Sequence, residues 1–310
     1  MGIWKKKSTL VVAVLVLLGI LNYILPGFYV RVLTEMTILG LFAMSLNLIL
    51  GYGGLISFGH AAFYGLGAYV VALIMHYTNT SFIAALLLGA VLSGIFGIII
   101  GAVCLRTTRL YFAMLTMAIS QLLYVIVFQW YSFTKGDEGI HSIPISKYLS
   151  SPQNYFFFVL AIVALSLGLI WMIINSSFGY TLRAIRDNPE RVVFLGVNVW
   201  IHRLVAFALA AFFAGVAGGL YVGYDHMAYA GLLHWSKSAE PMLMILLGGM
   251  HNFVGPLVGA AVFVILEMIM GRVTIYWLFI LGLIILLLVM FLPRGICGYL
   301  EERIRPKGVH

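Results

Sequence analysis

The feature that most constrains this chain is a series of long apolar runs separated by short polar connections. The apolar core of a bilayer is about 30 Å thick, and a helix needs roughly 20 residues to cross it. The nine runs that we interpret as membrane spans are residues 8–25, 34–50, 61–75, 82–105, 110–130, 155–174, 204–224, 253–270 and 275–292. A tenth and shorter run, residues 241–247, ends just before two glycines.

Composition supports the same interpretation. Hydrophobic residues make up 63% of the chain and charged residues only 9%, whereas soluble domains carry about 25% charged residues. We therefore predict an all-α polytopic integral membrane protein that forms a single transmembrane domain over residues 1–310, with about ten transmembrane helices. We expect broken or short helices between Gly51 and Gly59 and between Gly248 and Pro256. The first run follows three lysines, as a secretory signal would, but no Ala-x-Ala cleavage pattern follows it, so we predict a retained first helix.

The distribution of basic residues predicts the orientation. Cytoplasmic loops of membrane proteins are enriched in Lys and Arg, so the net charge of +8 does not call for nucleic acid as a partner. With ten crossings and both termini in the cytoplasm, thirteen basic residues lie inside and five outside. The inner ones are Lys5, Lys6, Lys7, Arg106, Arg109, Arg183, Arg186, Arg191, Arg203, Arg294, Arg303, Arg305 and Lys307, and the outer ones are Arg31, Lys135, Lys147, Lys237 and Arg272. In this arrangement residues 131–153 form an extracytoplasmic loop; this loop and residues 225–240 are either contacts for an extracytoplasmic partner or solvated linkers.

The glycines between Gly51 and Gly59 predict an interrupted helix, because four glycines in nine residues are unfavourable in a helix interior. Interrupted helices at membrane depth are tolerated where they are buried or line a watery cavity, and their free N–H groups suit an anionic carboxylate. The alternative is that the glycines only allow close helix packing. The residues that we expect along a substrate pathway are Gly53, Gly54, Ser57, Gly59, His60, Phe63, Gly248 and Gly249.

The inner loop over residues 178–203 predicts a short helix outside the bilayer. Asn188 is a good N-cap, Pro189 suits the first helical position, Glu190 complements the positive helix end and Gly196 suits the stop. We expect about seven helical residues. Such a helix could dock into a groove on a cytoplasmic partner or rest on the lipid interface.

Several further features bear on packing. Two stripes of small residues in the run 204–224, which include Ala210, Ala214, Gly215, Gly218 and Gly219, predict that another helix approaches closely, from this chain or from a partner. Cys104 and Cys297 are isolated, and we interpret both as packing residues. We expect Glu267 to reach the membrane interface near Arg272.

Missing motifs exclude several chemistries. The sequence contains no Gly-x-x-x-x-Gly-Lys-Ser/Thr loop for nucleotide phosphates, no Gly-x-Ser-x-Gly elbow and no His-Glu-x-x-His pair. We therefore expect no catalytic residues, no metal site and no cofactor bound by this chain.

Five stretches together resemble the permease subunits of branched-chain amino acid ABC importers, specifically their M-type. They read GYGGLISFGHAAFYGLGAY, LRTTRLYFAMLTMA, LRAIRDNPERVVFLGVNV followed by AFALAAFFAGVAGGLY, SAEPMLMILLGGMHNFVGPLVGAAV and LPRGI. His251 and Asn252 depart from the pattern, in which we expect small residues at this turn.

The resemblance implies an inner-membrane permease that pairs with a second homologous permease, two cytoplasmic ATPase subunits and an extracytoplasmic solute-binding protein. ATP and magnesium would bind in the ATPase subunits. The inner loop would be the coupling element, carried by Arg183, Arg186, Asp187, Asn188, Pro189, Glu190, Arg191, Phe194 and Gly196. The solute, whether a branched-chain amino acid, another amino acid, urea or a short amide, is not readable from these residues. The alternative from another class is a stand-alone ion-coupled transporter, in which Glu267 and the broken helices would form the sites.

Overall fold

The computed structural model describes residues 26–78, 80–141, 143–146, 148–273, 276–291 and 295–304. Over these ranges the chain is helical, and its only β-type pairing is one isolated bridge. The predicted first helix over residues 8–25 lies outside the described residues. The helices are α1 (Gly27–Leu50), α2 (His60–Tyr77), α3 (Phe82–Cys104), α4 (Arg109–Gln129), α5 (Tyr131–Thr134), α6 (Pro152–Ile174), α7 (Ser177–Asp187), α8 (Pro189–Phe194), α9 (Val199–Asp225), α10 (Trp235–Gly248), α11 (Gly255–Val273), α12 (Trp277–Phe291) and α13 (Gly295–Ile304), with a 3₁₀ turn at Ala230–Leu233 before α10.

Six of the described helices, α1, α3, α4, α6, α9 and α11, are long and apolar enough to cross a membrane. This confirms the predicted all-α polytopic class. The count of about ten stays a prediction. The short run 241–247 lies in α10, which has 14 residues and, at 1.5 Å per residue, is about 21 Å long.

Helices α1 and α9 form the centre of the protein. In the apolar 18-residue stretch of each of these two helices, 72% is buried inside the protein. The corresponding share is 22% in α4 and 33% in α3 and α6. Helix α9 packs against α1, α2 and α3. The outer helices expose apolar side chains such as Leu87 and Ile99 of α3, which is the arrangement that a lipid surround favours.

The small-residue stripes of α9 explain its central position, and the close neighbour that they predict belongs to this chain. The backbone of Gly215 lies against Gly67 of α2, and Gly218 lies against the backbone carbonyl of Tyr64. Ser93 of α3 also packs against Gly215 and donates a hydrogen bond to the carbonyl of Phe63 at 3.1 Å. Side chains larger than hydrogen would hold these backbones apart.

The two polar loops that we assign to the outer side meet each other. Ile140 and Ala228 exchange backbone hydrogen bonds of 2.8 and 3.0 Å, and the amide of Ile143 donates to the carbonyl of His226 at 3.4 Å. The segments over residues 131–153 and 225–240 therefore form one continuous surface. Within the second of these segments, Lys237 and Glu240 form an ion pair of 2.6 Å.

The remaining sequence features lie as follows. Cys104 is fully buried at the end of α3, as a packing residue would be, and Cys297 is half-buried in α13. Glu267 is half-buried in α11, five residues before Arg272. Its predicted contact with the interface stays a prediction.

The close contact at Gly218 yields a test of the core. We expect Gly218→Ala to destabilise the protein by about 1–3 kcal/mol, because the new methyl group overlaps the Tyr64 carbonyl. Gly168→Ala in α6 is the control, since nothing lies within 4 Å of the position of its added methyl group. Unfolding of the purified protein in detergent measures both. Equal stability of the two variants would contradict the close packing described above.

Candidate functional site

The segment formed by α7 and α8 carries most of the residues predicted to couple the chain to a partner. Helix α7 is amphipathic, with Gly179, Leu182 and Ile185 buried against the rest of the protein. Arg183 and Arg186 are three residues apart and lie on one side of this helix. Both guanidinium groups contact the backbone of other parts of the protein, Arg183 at Ile174 and Arg186 at Gly51.

Helix α8 forms as its sequence predicts, with six helical residues. The Asn188 side chain accepts a hydrogen bond from the amide of Arg191 at 3.1 Å, and Pro189 begins the helix. After the helix, Gly196 adopts a φ of +80°, a conformation that favours glycine.

The end of α8 projects an apolar surface away from the protein. Val192 is buried and anchors the helix, whereas Phe194 is 90% exposed and Leu195 is 81% exposed. Glu190 and Arg191 flank this surface and are exposed as well. We call the exposed side chains of Val193, Phe194 and Leu195 the α8 tip.

The first predicted interruption is present: α1 ends at Leu50, α2 begins at His60, and the intervening residues are not helical. Gly54 has a φ of +68° and lies directly beside the Arg186 side chain. A Cβ atom at this position would lie 2.7 Å from Cγ of Arg186. Glycine is therefore required here both for the backbone conformation and for the approach of the arginine.

The second interruption separates α10, which ends at Gly248, from α11, which begins at Gly255. Gly249 has a φ of +107°, and the backbones of Gly248 and Gly255 are in close contact. The Asn47 amide, from the last turn of α1, donates a hydrogen bond to the carbonyl of Met250 at 3.2 Å. The two interruptions are thus neighbours.

Arg186 connects α7 to both interruptions. Its Nη1 donates to the carbonyl oxygen of Gly51 at 2.7 Å and lies 3.5 Å from Nδ1 of His251. Its Nε and Nη2 each lie 2.9 Å from Oδ1 of Asp187. Sequence reasoning assigned Arg186 to the coupling loop but did not find these partners, since no local pattern pairs residues 135 positions apart.

Arg183 holds the start of the same segment. Its Nη2 donates to the carbonyl of Ile174 at 2.9 Å, and its guanidinium carbon lies 5.2 Å from the centre of the Tyr52 ring and 5.0 Å from that of Tyr180. A cavity of about 430 Å³ opens between these groups, and Trp171 and His251 line it as well. Tyr52, Asn47 and His251 are site residues that the sequence interpretation missed; the polar His251 in a glycine-rich turn was the one available signal.

The side chains predicted along the substrate pathway lie in the interior of the chain. Ser57 and His60 are fully buried, and Nε2 of His60 lies 2.8 Å from the Ser45 hydroxyl. The amide of Ala61, in the first turn of α2, donates to the Ser238 hydroxyl at 2.8 Å. Phe63 is buried, with its ring edge-on to Phe207 at 5.3 Å.

The glycines of the predicted pathway lie in close backbone contacts. Gly53 lies beside the backbone of Ile49, and Gly59 lies against the carbonyl of Thr116. Contact of these residues with substrate stays a prediction. Among the residues that the structure describes, no group of three or more His, Cys, Asp or Glu side chains could hold a metal ion.

Comparison with known proteins adds a separate line of evidence. Residues 28–290 match the family described as branched-chain amino acid transport system / permease component. The chain is 24% identical to the high-affinity branched-chain amino acid transport system permease protein LivM of Salmonella typhimurium, over 97% of this chain and 77% of that protein. It is 27% identical to the probable branched-chain amino acid transport permease protein LivM of Methanocaldococcus jannaschii, over 74% and 77%.

A shorter match extends to a second type of relative. Over 108 residues, which are 34% of this chain and 33% of that protein, the chain is 31% identical to the probable branched-chain amino acid transport permease protein LivH of Methanocaldococcus jannaschii. No solved structure matches the chain.

The position of His251 predicts a pH dependence. Burial and the nearby Arg186 charge hold the pKa of His251 below its ordinary value, and Asp187 opposes this effect only in part. As the pH falls, the unfolded chain therefore binds a proton on this histidine at a higher pH than the folded protein does. The stability of the folded protein consequently decreases between pH of about 7.5 and about 5.5, around the ordinary histidine pKa of about 6.5.

We expect His251→Gln to lose less stability than the wild-type protein over this pH interval. Thermal unfolding in detergent at both pH values measures the difference. His141→Gln is the control, because His141 lies in the loop over residues 131–153, on the side opposite to Arg186 by the charge rule. An identical pH response of the wild-type protein and His251→Gln would contradict the assignment.

Proposed function

Because the chain belongs to the family of permease components of branched-chain amino acid transport systems, we propose that it forms half of the translocation pathway of an ATP-driven importer for branched-chain or related amino acids. The single observation that carries this proposal is the α8 tip. A capped and anchored helix that exposes Phe194 and Leu195 leaves apolar surface uncovered, which is unfavourable in water unless a partner covers it.

The occupant that we propose for the α8 tip is a groove on a cytoplasmic ATPase subunit. Short amphipathic helices bind in apolar grooves through a few anchoring side chains. We propose that this loop lies on the cytoplasmic side, which its basic residues favour by the charge rule. Both chain termini would lie on that side, and the protein would lie in the inner membrane. ATP and magnesium belong to the ATPase subunits, and this chain supplies no catalytic group.

The fold and the relatives support two further proposed partners. The partial match to a LivH protein supports a second, homologous permease beside this chain, because it relates the chain to both permease types. On the opposite side, the loop over residues 131–153 and the segment over residues 225–240 are joined at Ile140 and Ala228. We propose this joined surface as the contact for an extracytoplasmic solute-binding protein.

The proposed pathway follows the two interrupted helices. It retains Gly53, Gly54, Ser57, Gly59, His60, Phe63, Gly248 and Gly249 as the residues that substrate would approach. Because Ser57 and His60 are buried in the conformation described here, this pathway requires the interruptions to move during transport. A stand-alone ion-coupled transporter would have no ATPase subunit to move the inner loop, and its α8 tip would have no partner to cover it.

The α8 tip provides the test of this proposal. We expect Phe194→Asp to lower the affinity for the ATPase subunits by about 30-fold, the equivalent of about 2 kcal/mol at a central anchoring residue. Co-purification of the ATPase subunits with the permease pair measures this loss, and ATP-dependent uptake in vesicles falls with it.

The matched control is Tyr148→Asp. Tyr148 is 73% exposed in the loop over residues 131–153, on the side opposite to α8 by the charge rule, and its substitution should leave ATPase retention unchanged. Full retention in Phe194→Asp would refute the α8 tip as the contact with the ATPase. A wild-type permease pair that binds no ATPase subunits, or uptake that follows an ion gradient without ATP, would refute the importer assignment.

A further inference from the structure

Arg186 holds three parts of the molecule with one planar group. The guanidinium binds the carboxylate of Asp187 at the end of α7, the carbonyl of Gly51 at the end of α1 and, more weakly, the His251 ring between α10 and α11. A guanidinium offers five N–H donors in a rigid fork, so it can hold several acceptors in fixed positions at once. Lysine, with its single ammonium group on a flexible stem, cannot reproduce this geometry.

The direction of Arg186 separates it from the surface that would meet an ATPase. Its side chain is 28% exposed, whereas the neighbouring Asp187 carboxylate is 67% exposed and the Phe194 ring of the α8 tip is almost fully exposed. The α7–α8 segment therefore has an outer side suited to a partner and an inner side bound to the membrane helices. Arg186 lies on the inner side.

Resting on the function proposed above, we propose that Arg186 is the positioning residue that transmits movement of the α7–α8 segment to the two helix interruptions. A push on the α8 tip moves α7, to which α8 is joined through Asn188. The charge-assisted hydrogen bond to Gly51 carries this movement to the end of α1, and the contact with His251 carries it to the turn before α11. Hydrogen bonds with one charged partner are stronger than neutral ones, so this contact is suited to persist while the segment moves.

Two further contacts make this link specific. Gly54 leaves room for the Arg186 side chain where any Cβ atom would collide with it. The Asn47 amide joins the end of α1 directly to the Met250 carbonyl, so the two interruptions move together when either is displaced. Arg183, by contrast, donates its hydrogen bond to Ile174, in the adjoining end of α6, and reaches the first interruption only by stacking on Tyr52.

The experiment uses the complete transporter, with both permeases, the ATPase subunits and the binding protein, reconstituted in vesicles. Co-purification of the ATPase subunits and the rate of ATP hydrolysis are measured first for Arg186→Gln, so that uptake is compared per ATP hydrolysed. Leucine taken up per ATP hydrolysed should fall at least about fivefold, the lower end of typical coupling between distant sites. This ratio is a readout that a general loss of stability would not change selectively.

Arg106→Gln is the matched control, since Arg106 is an exposed arginine of the predicted inner side and takes part in none of the contacts described above for Arg186. Its uptake per ATP should equal that of the wild-type transporter. The same ratio in Arg186→Gln as in Arg106→Gln would overturn the inference.

Arg186→Lys covers the case in which Arg186→Gln does not assemble. It keeps the charge and the aliphatic stem but lacks the fork, so uptake per ATP should again fall relative to Arg106→Lys. A wild-type ratio in Arg186→Lys overturns the inference. Failure of the proposed function has a different signature, because the wild-type permease pair would then bind no ATPase subunits.

Discussion

A helix that stops inside a membrane protein leaves backbone carbonyls without helical partners, and a buried carbonyl without a hydrogen bond costs about 1–3 kcal/mol. This constraint applies where α1 ends. The carbonyl of Gly51 accepts its hydrogen bond from Arg186, which belongs to a segment far along the chain. The requirement to satisfy one backbone group thus joins the end of a membrane helix to a polar loop outside the spans. The second interruption meets the same requirement through Asn47, which donates to Met250.

The glycine-packed centre restricts rearrangement of the helices around it. Around Gly215 and Gly218, helices α2, α3 and α9 approach each other through backbone contacts that leave little space for rearrangement. Close-packed interiors transmit displacement rather than absorb it. The interruptions are also packed through glycine, at Gly59 and between Gly248 and Gly255, but they have side-chain hydrogen bonds to their backbone carbonyls in addition, from Arg186 and Asn47. Movement at the interruptions during transport would therefore require these side-chain hydrogen bonds to change.

The sequence predicted the local elements well, because their signals lie within a few residues. Asn188, Pro189 and Gly196 define α8 by capping and backbone preference alone. The four glycines between Gly51 and Gly59 predict a break for the same kind of reason. The small residues of α9 predicted a close neighbour, but which helix supplies it depends on the three-dimensional arrangement, and the structure places it in α2 and α3 of the same chain.

The predictions about individual side chains were less complete, and Arg186 and Phe194 show why. Both belong to one loop, and sequence reasoning gave both the same role. A charged residue is ordinarily expected to face water and an apolar one to face the protein, yet here Arg186 turns inward and Phe194 turns outward. At Arg186 the physical reason is in the structure, because a backbone carbonyl inside the protein requires a donor. At Phe194 the exposed ring is the observation on which the proposed partner contact rests. The Gly51 carbonyl is not adjacent to Arg186 in sequence, so the direction of the arginine follows from the assembled structure.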